Sequence, residues 1–142
     1  MNGDPSSRAA AKALRTGWVL LALSLPLGLT LETLHAFKVQ VYLQSEVRRE
    51  MWRLAHAHGT LLGILLLAFA ALAEKHVAPT SCAKISRDLR LGAVLMPLGF
   101  FLGGVLSSEG DPSLGIVLVP LGALFLFAAL VRAARITEPG RS

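Results

Sequence analysis

The sequence predicts an all-α integral membrane protein, a four-helix bundle with short loops and both termini in the cytoplasm. Three observations carry that prediction. Apolar residues make up 54% of the 142-residue chain and charged residues only 16%, against about 25% charged in a typical soluble domain. The apolar residues gather into four runs, each near the ~20 residues a helix needs to cross ~30 Å of hydrocarbon. The Lys and Arg residues lie between those runs with a one-sided bias. This composition argues against a disordered chain, a coiled coil, a nucleic-acid-binding arm and a water-soluble enzyme.

The first run, 17–37, is interrupted only by Pro26, Glu32 and His35. Arg8, Lys12 and Arg15 precede it as the basic start of a signal peptide would. The run is long and no small-x-small cleavage site follows it, so the span is expected to stay as a helix. The second helix is expected over 46–73. Ser45 is placed to cap it, and Glu46, Arg49, Glu50 and Arg53 form an outer extension of the apolar run 54–73. Within that extension Glu46–Arg49 and Glu50–Arg53 attract at i,i+3. The third helix, 91–108, and the fourth, 113–131, contain no ionisable side chain within their apolar runs. The short acidic turn Glu109–Pro112 makes them antiparallel neighbours. Runs such as 61–73 are apolar on every side, which excludes barrel strands, since those alternate. In hydrocarbon the backbone must satisfy itself, so the runs are helices.

The basic residues set the orientation. With four spans, Arg8, Lys12, Arg15, Lys75, Lys84, Arg87, Arg90, Arg132, Arg135 and Arg141 lie on one side. The positive-inside rule makes that side the cytoplasm. The expected location is the inner (plasma) membrane, crossed several times. The net charge of +5 is then a matter of topology, and no nucleic-acid partner is expected. Trp18, Tyr42 and Trp52 fall near span ends, where amphipathic rings favour the interface. The single Cys82 permits no intrachain disulfide and reads as a spare thiol in a polar loop. His76 reads as a solvated loop residue.

Small residues recur at helical spacing, as Gly59/Gly63 on the second helix and Gly99/Gly103 on the third. Such faces let helix backbones approach closely. Beyond the bilayer itself, they serve either intrachain packing or a homo-oligomer or larger membrane complex. Pro26, Pro97 and Pro120, each in Pro-Leu-Gly, are expected to kink or loosen their helices.

The candidate site is where ionisable groups enter the spans. Glu32 and His35 share a face of the first helix at i,i+3, and His56 and His58 enter the second. An ionisable group inside a span is costly and marks a functional candidate. The four should lie in the outer leaflet within about 10 Å of one level. Glu32, His35 and His56 are therefore expected to meet between the first two helices, as a metal site or a structural hydrogen-bond cluster. His56 and His58 stand about 200° apart around the helix and cannot share one metal ion. His58 shares its face with Leu54, Leu61, Leu62 and Leu65, an apolar wall suited to a macrocycle.

Ala57-His58-Gly59, followed by an apolar helix, resembles the second-helix segment of haem–copper oxidase catalytic subunits. The His-x-His at the helix start also resembles a family of small uncharacterised bacterial four-helix membrane proteins. The likeness covers Trp52 to Leu65. In the oxidases the histidine before glycine ligates a low-spin haem, so the resemblance implies His58 as an axial ligand of a b-type haem. The second ligand would be His35 or a histidine of another subunit. Arg48, Arg49 and Arg53 would meet the propionates. The chain has four spans where the oxidases have twelve and lacks their His-Pro-Glu-Val segment, so oxygen reduction is not implied. No P-loop, dinucleotide fingerprint, His-Glu-x-x-His or nucleophile elbow occurs. The expected function is haem or transition-metal binding in a redox or sensing role. The alternatives are a non-catalytic accessory or scaffold subunit and a small transporter or proton conductor.

Overall fold

The structure, a computed structural model, describes residues 5–105, 107 and 110–136. It is an all-helical bundle. Four helices, α1 (Pro5–Ala36), α3 (Glu46–His76), α4 (Pro79–Val105) and α5 (Leu118–Ile136), are joined by the single turn α2 (Gln40–Leu43) and a 3-10 turn Leu114–Val117 that leads into α5. All four are long and apolar enough to cross a membrane, the last counted together with its 3-10 turn. Ser108, Glu109 and Arg141, which enter the expected spans and loops, lie outside the described residues.

Local sequence explains the ends. Ser45 caps α3, its Oγ accepting from Arg48 N–H at 3.2 Å. Ser113 does the same for the 3-10 turn through Gly115 N–H. Only Val77 and Ala78 separate α3 from α4, and Pro79 starts α4, where the missing N–H is harmless. Pro120 sits in the first turn of α5 for the same reason. Pro26 and Pro97 lie inside α1 and α4, which run on through them.

The helices are longer than the apolar runs. α1 starts at Pro5, well before the expected Gly17, and α4 starts at Pro79, well before Leu91. These extensions pack on each other. Ala9, Ala10 and Ala13 of α1 and Cys82 and Ile85 of α4 are buried there. Ser86 Oγ donates to Ala9 carbonyl at 2.7 Å. Cys82 is thus a buried helical residue facing the Ser6 carbonyl, not a loop thiol. At 32 and 31 residues, α1 and α3 are about 46–48 Å long. Each is longer than the ~30 Å thickness of a hydrocarbon layer.

Packing is set by glycine. α1 meets α3 where Gly17 faces Gly63; a Cβ on Gly17 would come within 2.9 Å of the Gly63 carbonyl oxygen. α5 meets α4 where Gly122 faces Gly92, with the Gly122 oxygen 2.7 Å from a Cβ built there. The core runs through all four long helices, from Ala13 and Leu20 through Leu62, Leu66, Ile85, Leu89 and Ala93 to Leu126 and Ala129. Gly59 abuts Ser24, Gly99 abuts Leu118 and Val119, and Gly103 lies against Ile116 and Met51. Both expected glycine faces are therefore packed against other helices within the chain.

Candidate functional site

His56 lies on the side of α3 that faces α1. Its Nδ1 is 2.9 Å from the Ser24 carbonyl oxygen. A carbonyl only accepts, so Nδ1 carries a proton and donates it. Gly28, one turn further along α1, leaves room for the ring; a Cβ there would sit 2.5 Å from Cε1. His58 points elsewhere, as two positions of helical rotation require. Its Nδ1 donates to the Leu54 carbonyl one turn back in the same helix, at 2.9 Å. Its ring tilts against Phe100 of α4, centroids 4.8 Å apart. Both histidines are only partly buried.

Glu32 and His35 are exposed on α1 and do not join His56. Among the described residues no three His, Cys, Asp or Glu side chains come together as a metal-holding group. The reason is register. The extension 46–53 belongs to α3 and runs alongside the end of α1, so His56 is carried down to the level of Ser24 and Gly28. Glu32 lies four to eight residues beyond that level and His35 seven to eleven, or roughly 6–12 Å and 10–17 Å along the axis. His58 lies next to Gly59, which abuts Ser24. His35 is therefore about 16 Å off the level of His58, and one iron cannot take both from a single chain.

The arginines expected at propionates are mostly engaged with the backbone. Arg48 donates from Nε to Gly104 carbonyl at 3.2 Å and from Nη1 to Val41 carbonyl at 2.6 Å. Arg49 donates to the Leu43 carbonyl; Arg53 is exposed. These bonds hold the connection between α1 and α3 against the end of α4. Trp52 completes the arrangement. It stacks between Tyr42 and Phe101, at 6.2 and 6.0 Å, under the Arg48 guanidinium at 5.9 Å. Its Nε1 donates to the Phe101 carbonyl at 3.3 Å. Tyr42 is thus buried in a stack.

A buried carboxylate escapes the hydropathy reading. Asp88 of α4, its side chain 3% exposed, pairs with Arg87 at 2.9 Å and with Arg132 of α5. By sequence it falls in a basic loop. A signal was present: Cys82, Ile85, Ser86, Leu89, Gly92 and Ala93 recur at helical spacing and announce a buried face that starts well before Leu91.

Comparison with family models, curated proteins and solved structures returns no match to the chain.

Proposed function

We propose that the chain is a multi-pass protein of the inner (plasma) membrane, with both termini cytoplasmic, and that it acts as a non-catalytic accessory or scaffold subunit. One observation carries this reading. The half-buried histidines within the spans are engaged with backbone carbonyls of the chain itself, His56 with Ser24 and His58 with Leu54. The His56 bond ties α3 to α1, and the His58 bond stays within α3. What it turns outward is apolar helix surface, on α1 and α5 above all. The basic ends support the orientation. Alkaline phosphatase fused after Ala73 or Ser142 is expected to be inactive, and activity at either place would break the topology.

A second reading keeps His58 as an axial haem ligand. It is favoured by the tautomer: with Nδ1–H held by Leu54, the Nε2 lone pair is the one a metal would use. Its surroundings, Phe100 and the Leu face of α3, are apolar. The second ligand would come from another copy or another subunit, and a bound haem would supply one-electron or ligand-sensing chemistry. The deciding experiment is the absorption spectrum, metal content and native mass of the protein purified from haem-replete cells. A colourless, metal-free protein with a stoichiometric protein partner supports the scaffold. A Soret band that His58→Ala removes while the bundle stays folded overturns it.

A further inference from the structure

At the end where α1 and α4 begin, a cleft of about 230 Å³ opens between the two extensions. Its walls are one face of each helix, with Arg8, Ala9 and Lys12 on α1 and Ala83, Ser86 and Arg90 on α4. We propose that this cleft binds the headgroup phosphate of an anionic phospholipid. The proposal rests on the membrane reading above and not on the scaffold role.

Charge is the first argument. Arg8 and Lys12 stand one turn apart on the same face and repel. Neither α1 nor α4 has an acidic residue in its first turn, and both point their positive N-terminal dipoles to this end. Of the acids near the cleft walls in sequence, Asp88 is buried and already held by Arg87 and Arg132, and Asp4, which precedes the lining residue Pro5, lies outside the described residues. Ser86 has its hydroxyl on the Ala9 carbonyl, and Arg90 Nε is on the Ser86 carbonyl, which orients that side chain along the cleft. Two exposed cations and one oriented arginine converge on a space fit for a phosphate ester and too small for a drug-sized ligand.

Position is the second argument and selects a lipid over free phosphate. Lys12 precedes the apolar run of α1 by about one turn, and Arg90 directly precedes that of α4. The cleft therefore stands at headgroup level, where basic residues attract anionic lipids. The same two faces continue into Val19 and Val94, 49% and 41% exposed, an apolar track for acyl chains.

The test uses the full chain in nanodiscs of phosphatidylcholine doped with phosphatidylglycerol, read by native mass spectrometry of the retained lipid. Incorporation is checked first by size exclusion; failure there would overturn the membrane reading beneath the proposal, independently of any lipid preference. The expected result is at least a 10-fold preference for phosphatidylglycerol over phosphatidylcholine, falling to within 2-fold in Arg8→Gln/Lys12→Gln. Both side chains are exposed, so the fold should survive. Lys38→Gln/Arg53→Gln at the opposite end removes equal charge and should leave the preference intact. No preference in the wild type, or one that survives Arg8→Gln/Lys12→Gln, overturns the proposal. So does full displacement of the lipid by millimolar inorganic phosphate, which would make the site one for free phosphate.

Discussion

Gly28 lies directly beneath the imidazole of His56, so close that a Cβ on Gly28 would stand 2.5 Å from Cε1. The ring occupies the space that glycine leaves and reaches the Ser24 carbonyl from there. Gly28→Val is expected to push the ring out and break that bond, costing about 1–3 kcal/mol for the orphaned polar group plus the packing loss. His56→Ala should cost a similar amount. The double variant should lose clearly less than the sum, because both changes act on one contact. Additive losses in thermal unfolding in detergent would show that Gly28 and His56 do not act together.

His56 and His58 should separate in the same assay. His56 ties α3 to α1, whereas His58 bonds a carbonyl of its own helix that the helical backbone already serves. His58→Ala is therefore expected to cost less than about 1 kcal/mol beyond the lost Phe100 contact. An H58A variant that unfolds as readily as H56A would contradict this assignment.

How much of this was legible in the sequence depends on which force decided each feature. Hydropathy marked the four long helices because their apolar runs are each about long enough to cross a membrane. Ser45 and the charged turn after it marked the start of α3 because capping is local. That His56 and His58 face opposite ways follows from helix geometry alone. The meeting of Glu32, His35 and His56 failed because it needed the register between α1 and α3. That register is set by Gly17 on Gly63 and Ser24 on Gly59, contacts between residues far apart in the chain. The early start of α4 was hidden by its charges. Lys84, Arg87 and Arg90 read as a loop until Asp88 is seen paired with Arg132 across to α5.

Asp88 and Arg132 predict an asymmetry. The Asp88 carboxylate is buried, while Arg132 is 41% exposed. Removing the arginine strands a buried charge on Arg87 alone; removing the acid leaves arginines that water can reach. Arg132→Ala should therefore cost about 2–3 kcal/mol and Asp88→Ala less, with the double variant more stable than Arg132→Ala by itself. Equal losses for the two single variants, or no relief in the double, would place Asp88 in a wetter setting than the structure gives it.

Cys82 reports on the packed extensions of α1 and α4. It is fully buried beside Ser6 and beneath the Ala9–Ala10 face, so a maleimide should label it only through local opening. Ala13 is also fully buried. Ala13→Glu should pry the extensions apart and raise the labelling rate about 10-fold, equivalent to ~1.4 kcal/mol of local stability. Rapid labelling of the wild type would mean that α1 does not cover α4 here.

Arg48 should be irreplaceable by lysine. Its Nε and Nη1 reach two carbonyls, Gly104 at the end of α4 and Val41 in the connection, and its plane lies over Trp52. A guanidinium presents a fixed fork of donors and a flat face, whereas an ammonium is a single point charge on a flexible stem. Arg48→Lys keeps the charge but serves at most one of the two carbonyls. It should cost about 1.5–3 kcal/mol, the range for a lost hydrogen bond to a charged group, nearly as much as Arg48→Ala. Trp52 supplies a local readout, because its ring is clamped between Tyr42 and Phe101. In a Trp18→Phe background, made because Trp18 is 59% exposed, loosening the clamp should shift Trp52 emission to longer wavelength in both variants. An R48K protein with wild-type stability and emission would show that charge alone, and not the two-carbonyl fork, holds this end of the bundle.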